Sequence, residues 1–454
     1  MTTATSITVP SPMTSGLDVR TVSTMTATAL AVADMIGIGV FTSLGFQVQD
    51  IPSAFSVLLL WIIGGIAALS GALAYAELSA AFPRSGGEYN FLSRIYHPAV
   101  GFLAGWISAT VGFAAPIALA AMAFGVYFKG VVPGAPALLL SLAVTWIVTL
   151  VHLSGVKHSS KFQNVSTLIK GALIIALIIA GLAYGSPQPI SFAPSHNDLG
   201  FISSAPFAVS LVFVMYAYSG WNAATYIVSE IKDPQRSLPK ALFMGTGTVL
   251  VLYLALNAVF LYTTPVAELS GQLNVAEIVG THIFNRSGGR IVGGLICIGL
   301  ISTISAMMWI GPRVTMTMGE DLPMLRLFAR RSANGVPAPA ICFQLLVASL
   351  LLLTGSFEAV LDFIQFSLTF CSFLTVLGMV KLRFTRPDFP RSYRAWGYPV
   401  TPIIFLGATS LIMYYLITVR PLQSFAGFLM MLAGLLLYGL GNLQQAAARR
   451  APAE

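Results

Sequence analysis

Apolar runs of about 20 residues recur along nearly the whole chain, and no other feature so narrows what it can fold into. An α-helix rises 1.5 Å per residue, so roughly 20 residues cross the ~30 Å hydrocarbon core of a bilayer. Candidate spans lie near 24–48, 54–80, 98–127, 137–153, 161–184 and 202–229, then near 239–263, 289–318, 338–354, 357–382, 401–419 and 423–444. Only 9% of the 454 residues are charged and 56% are hydrophobic, whereas soluble domains carry about 25% charged residues. So few charges cannot cover a water-exposed surface of this size, and lipid must cover most of it. The expectation is an all-α membrane protein with 12 transmembrane helices.

The net charge of +8 does not indicate a nucleic-acid partner, because the cations sit in short loops between apolar segments. With the N-terminus placed inside, Lys129, Arg286, Arg290 and Arg420 fall outside and Lys170 lies within a span. The other 19 of the 24 Lys and Arg fall inside. Such asymmetry orients membrane proteins, so both termini are expected in the cytoplasm and the chain in the cell membrane. Residues 1–20 and 446–454 then form cytoplasmic tails. The first tail has no basic region followed by an apolar run, and is not read as a cleaved signal.

Other chemistries find little support. Cys297, Cys342 and Cys371 lie in apolar segments without metal or disulfide spacing and read as small core residues. His97, His152, His158, His196 and His282 share no metal-ligand spacing, so no metal is expected. No phosphate-binding glycine loop or nucleophile elbow occurs, so neither an enzyme nor a cofactor is expected.

Two spans carry interruptions. Span 1 reads Ala33-Asp34-Met35-Ile36-Gly37-Ile38-Gly39-Val40-Phe41, and each glycine costs a helix about 1 kcal/mol. Close helix packing is one explanation. Span 6 has Tyr216-Ala217-Tyr218-Ser219-Gly220-Trp221-Asn222 in its middle. Spans 1 and 6 open two successive sets of five, and paired interruptions at corresponding positions point to a solute site. An unwound backbone must face a cavity or a ligand, because hydrocarbon satisfies none of its polar groups. Freed N–H groups at the start of a half-helix suit a carboxylate. Freed carbonyls suit an ammonium, so such a site holds an amino acid.

These segments resemble the amino acid–polyamine–organocation (APC) superfamily, in particular its L-type amino acid transporter-like members. The residues carrying the resemblance are Ile36-Gly37-Ile38-Gly39-Val40-Phe41, Pro83 to Tyr89, Phe213 to Leu238 and Gly311-Pro312-Arg313, matching in order over about 22–395. The resemblance implies the leucine-transporter fold. Spans 1–10 (21–398) would form a transport core of two inverted five-helix repeats with spans 1 and 6 discontinuous, and spans 11–12 (399–445) would be peripheral. It also implies that N–H groups of Ile38 and Gly39 receive the substrate carboxylate, and that carbonyls of Met35, Tyr216 and Ser219 receive the ammonium. Tyr216 matches the aromatic gate position, and Ile38 stands where many relatives have a small hydroxyl residue. Ile36, Gly37, Gly220 and Asn222 complete the expected binding set.

Lys170 lies about two and a half turns into span 5, deep for a snorkelling lysine. The resemblance implies that it replaces a sodium ion, bracing spans 1, 5 and 8 through carbonyls of Ala33 or Ile36 and hydroxyls among Ser302, Thr303 and Ser305. Proton coupling through Lys170 is a further expectation. Asp34 is read either as a coupling or cation-recognition group or as a partner for loose backbone. Glu77 and Glu230 end spans 2 and 6 and are read either as solvated or capping acids or as inner-gate acids, with Glu230 pairing with Arg or Lys. Glu358 and Asp362 begin span 10 as mouth-lining or solvated acids, and Trp221 is read as core packing.

The function expected is sodium-independent amino-acid transport by alternating access, proton-coupled or exchanging. Alternatives are a polyamine or cationic amine carrier and a non-transporting amino-acid receptor. The loop from Lys129 to Ala137 has no cysteine, so no disulfide-linked subunit is expected.

Overall fold

Glycine and proline set where the helices of this chain break, and the breaks set its architecture. The computed structural model describes residues 22–355 and 357–450, with side chains for all of these except 156–160, 357–359, 361–363 and 444–450. The expectations for the terminal tails up to residue 21 and beyond 450, and for the side chains of Glu358, Asp362 and His158, lie outside that description.

The first apolar run forms two helices, α1 (Thr24–Met35) and α2 (Gly39–Asp50), separated by the non-helical residues 36–38. Then follow α3 (Ala54–Ala81), the short α4 (Glu88–Ile95) and α5 (Pro98–Ile107). A widened π turn (Ser108–Gly112) joins α5 to α6 (Ala114–Val131). Next come α7 (Ala137–Leu153), α8 (Val156–Tyr184), the short α9 (Asp198–Ile202) and α10 (Ala205–Ala217). A turn over 218–222 leads into a 3-10 helix (Ala223–Glu230). The rest comprises α11 (Pro234–Thr263), α12 (Val266–Leu269), α13 (Val275–Phe284), α14 (Arg286–Asp321), α15 (Ala338–Leu353), α16 (Phe357–Thr385), α17 (Val400–Val419) and α18 (Pro421–Arg450).

Among the described residues, nine helical segments are long and apolar enough to cross a membrane, counting α1–α2 and α5–α6 as one each. Helices α7, α10, α13 and α15 are apolar but shorter. Burial is graded: 83% of the apolar window of α1–α2 is buried, against 28% in α17 and in α18. Large apolar side chains such as Ile147, Leu150, Ile403 and Leu436 are exposed, the pattern of a lipid-facing surface.

The packing relates the two successive sets of helices. The second long helices of each set, α3 and α11, pack together, as do α6 and α14. Helix α1 packs on α11, α8 and α14, and α10 packs on α2 and α3. Both interruptions are thereby held at the centre.

Burial corrects one sequence expectation. Cys297 and Cys371 are buried, but Cys342 is exposed, because its face of α15 points away from the neighbouring helices.

Candidate functional site

The break in the first run follows from its two glycines. Ile36 leaves the helical region (φ −72°, ψ 80°), and the chain re-enters a helix at Gly39. A Cβ at Gly39 would lie 2.7 Å from Ala217 Cα, so only glycine lets the two interrupted segments touch. Gly220 has φ +99°, in the left-handed region, and a Cβ there would meet Asp34 Oδ2 at 2.5 Å.

Between these breaks lies a small cavity of about 10 Å³ lined by Asp34, Met35, Gly37, Ile38, Gly39, Pro116, Ala120, Tyr216, Ala217, Ser219, Thr303 and Met307. That is about the room one water needs, so the two interrupted segments are closed on each other here. Of the expected binding residues, Met35, Gly37, Ile38, Gly39, Tyr216 and Ser219 line it. Ile36, Gly220 and Asn222 do not. The Ile36 carbonyl points instead at Lys170, and Asn222 Nδ2 donates to the Tyr226 hydroxyl at 3.2 Å rather than to backbone.

The backbone at the pocket is incompletely paired. The N–H groups of Ile38, Gly39 and Val40 have no backbone acceptor, as the first turn of a helix requires. Together with the positive end of the helix dipole they favour an anion. The Met35 carbonyl differs from expectation. It already accepts from the Tyr253 hydroxyl (2.6 Å) and from the Gly37 N–H (2.7 Å), which uses both lone pairs. The Tyr216 carbonyl accepts from the Ser219 N–H, whereas the carbonyls of Ser219 and Asp34 accept no backbone donor.

Behind the first break, Lys170 is 1% exposed. Its Nζ donates to the Ala33 carbonyl (2.9 Å), the Ile36 carbonyl and Thr303 Oγ1 (2.7 Å). Of the three hydroxyl residues anticipated around it, only Thr303 makes the contact. Ser302 Oγ is buried without a partner, and Ser305 hydrogen-bonds His152 Nε2 at 2.9 Å. Successive residues on a helix are about 100° apart, so the three cannot face one point.

Sequence reasoning missed Tyr253. Its single hydroxyl proton is shared between the Met35 carbonyl (2.6 Å) and the Ala217 carbonyl (2.9 Å), tying the two interrupted segments together from α11. It sits in an unremarkable apolar run, and nothing local marks it. Trp221 packs edge-on to Tyr75 (4.6 Å) and Phe405 (5.7 Å), as core packing predicts.

One end of the bundle is latched by charge. Glu230 Oε1 pairs with Arg313 Nε at 3.0 Å, and Arg313 also donates to the Trp309 carbonyl. Arg84 makes a two-pronged contact with Asp321 (2.8 and 2.9 Å), which also accepts from the Tyr89 hydroxyl. Val22 bridges to Ile231 across the same end. Glu77 is fully buried and bonds Arg383 and the Ala395 N–H, fixing the segment after α16. At the end that carries the 50–53 turn, Asp198 accepts from Ser53, Ser56 (2.6 Å) and Ser195, and these hydroxyls hold its carboxyl below the usual range. Among the described residues no three His, Cys, Asp or Glu side chains cluster as a metal site would.

Apolar helices in this number, two of them interrupted around a central pocket, define a multi-pass helical membrane protein. The chain belongs to the amino acid permease family, whose pattern it matches over residues 22–440. It is 28% identical to the mouse b(0,+)-type amino acid transporter 1, covering 93% of this chain and 88% of that protein. Mouse large neutral amino acids transporter small subunit 2 is 26% identical and mouse Asc-type amino acid transporter 1 is 24% identical. Each alignment covers 93% of this chain and 81% of the relative.

Proposed function

We propose that this protein is a sodium-independent secondary transporter of amino acids working by alternating access, either coupled to protons or exchanging one amino acid for another. The observation that carries the reading is the pocket between two interrupted helices, where the N–H groups of Ile38, Gly39 and Val40 lack acceptors. Those donors bind the substrate carboxylate, and free carbonyl and carboxylate oxygens across the pocket take its ammonium. Family membership and the names of the relatives agree with amino-acid transport.

In this reading the shorter helices α7, α10 and α15 also cross the membrane, giving twelve spans with both termini cytoplasmic. The first ten form inverted repeats of five, and α17 and α18 are peripheral. Pairing of α3 with α11 and of α6 with α14 supports that relation, since a two-fold axis brings equivalent helices together. Lys170 occupies the place of a sodium ion: a fixed ammonium on two carbonyls and a hydroxyl satisfies the acceptors a cation would hold. Thr303 belongs to this brace, while Ser302 and Ser305 flank it. Tyr216 closes the pocket, and the Glu230–Arg313 pair latches the cytoplasmic side. No disulfide-linked partner is required.

Uptake of a panel of the 20 labelled amino acids into proteoliposomes, with and without a proton gradient or internal amino acid, tests this. Uptake of at least one over protein-free vesicles is expected. No uptake under any condition overturns transport, and dependence on external sodium overturns the role of Lys170.

A further inference from the structure

Residues 84–89, from the turn after α3 into α4, make a run of contacts across the latched end of the bundle. Arg84 and Tyr89 reach Asp321 at the end of α14. Ser85 Oγ meets Ser229 Oγ at 2.6 Å and accepts from the Ser229 N–H at 3.0 Å. The Gly86 N–H donates to the Tyr226 carbonyl at 3.4 Å, and Gly87 lies so close to the Tyr226 ring that a Cβ would collide with it. The segment thus ties α14 to the 3-10 helix that follows the second interruption.

Glu88 anchors this segment to the core. It is 2% exposed, and its Oε1 accepts from the Tyr75 hydroxyl of α3 and from Ser372 Oγ of α16 at 2.8 Å. Among the described residues no Lys, Arg or His pairs with it. Arg84 is engaged by Asp321 and Arg383 by Glu77, while Lys381 and Arg94 lie over the Tyr96 and Phe82 rings. The titratable groups facing Glu88 are Tyr75 from α3, Tyr226 from the 3-10 helix and Cys371 from α16. Helix α5 also packs on α4 and carries no titratable residue. The two hydroxyls and the start of α4 favour the charged carboxylate. Burial outweighs them and raises the Glu88 carboxyl above its usual range. The anchor therefore holds best in its neutral form, and ionisation leaves a buried charge without a counter-ion.

We infer that Glu88 is a proton site that locks the cytoplasmic gate: protonated, it seats residues 84–89 against the second interrupted segment, and loss of the proton to the cytoplasm releases them. This rests on the reading of that end as the cytoplasmic gate and adds its regulation. The sign follows from linkage. The closed form binds the proton more tightly than an open form in which the carboxyl meets water. Closure is therefore favoured as cytoplasmic pH falls and is lost as pH rises above the ordinary carboxylate range.

Cys371, buried beside Glu88 and one residue from Ser372, reports opening without any need for uptake. Full-length protein in detergent is treated with N-ethylmaleimide between pH 5.5 and 8, and peptide mass resolves Cys371 from Cys297 and Cys342. Glu88→Gln keeps the neutral shape at every pH and corrects for ionisation of the thiol itself. The rate for wild type relative to Glu88→Gln is expected to rise at least about tenfold across the range, as a carboxyl shifted by one unit requires. Tyr75→Phe removes a donor to the charged form and is expected to move the rise to higher pH. Arg84→Ala cuts the contact with Asp321 and is expected to speed alkylation at every pH. A ratio that stays constant across the range overturns the inference. If Glu88→Gln does not fold, a Tyr75→Phe profile that superimposes on wild type overturns it. Arg84→Ala protein labelled no faster than wild type shows that the segment does not cover this site, which also overturns it. Absence of uptake across the amino-acid panel overturns the transport reading instead and leaves the alkylation result standing.

Discussion

The two faces of the interruption at residues 36–38 are built on opposite terms. On the rear face every proton of Lys170 has an acceptor, and the Ala33 and Ile36 carbonyls are met. On the front face the N–H groups of Ile38, Gly39 and Val40, the Ser219 carbonyl and the Asp34 carboxylate are all unmatched. One short segment thus separates a finished polar network from an unfinished one. Buried polar groups are nearly always paired in native proteins, so a cluster of unpaired ones marks where something else binds. The rear face holds the backbone unwound, and the front face uses the groups that unwinding frees.

That contrast can be broken most severely at Gly39. In Gly39→Leu the side chain must enter space already held by Ala217 Cα and Cβ, at 2.7 and 2.8 Å from the first added carbon. Both helices meet there through backbone and neither can yield. Uptake should fall to the background of protein-free vesicles, with the purified protein still monodisperse. Wild-type uptake would mean that the glycine serves packing alone.

Lys170→Ala attacks the rear face. Two carbonyls and a hydroxyl lose a charged donor, at a cost of about 2–4 kcal/mol, since hydrogen bonds to charged groups contribute about 1.5–3 kcal/mol each and partial rearrangement recovers some. The melting temperature in detergent should drop and uptake should fall at least about tenfold by the same energy scale. Unchanged melting and uptake would show that the ammonium braces nothing.

Tyr253→Phe removes one hydroxyl that holds both interruptions, and should cost about 1–2 kcal/mol. It also frees a lone pair on Met35, so any loss of uptake should be accompanied by altered apparent affinity. A change in stability with affinity intact would place Tyr253 wholly on the structural side of the comparison.

The smallest expected effect is the most discriminating. Ser302→Ala deletes a buried hydroxyl that has no partner and should change stability by less than about 0.5 kcal/mol, with uptake unaltered. Thr303→Val, one residue away, removes an acceptor of Lys170 and should reduce both measurably. Equal behaviour of the two variants would dissolve the distinction between the faces.

Much of this was legible in the chain itself. Hydropathy and the glycines of the two interruptions identify the apolar helices and both breaks, because membrane spans are long and local breaks in them are costly. The carbonyls opposite Lys170 were anticipated through the family resemblance, which implies a cation beside the first break. Less local features were not legible. Tyr253 acts across two other helices, and nothing in the run around it distinguishes it from an ordinary apolar segment. The consumption of the Met35 carbonyl by that tyrosine was equally hidden. Glu230 was expected to find a basic partner, but only packing selects Arg313 from the many cations at that end.

The division has a physical reason. Helix formation in lipid depends on hydrogen bonds between residues four apart and on the apolar character of some 20 neighbours, so composition and local pattern decide where the chain spans and where it breaks. Whether a freed carbonyl or a buried carboxylate has a partner depends on side chains a hundred or more residues distant, brought within 3 Å by packing. The sequence therefore determined an all-helical membrane permease with two interrupted helices. Only the tertiary structure decided that Lys170 is saturated and that Asp34 is left waiting.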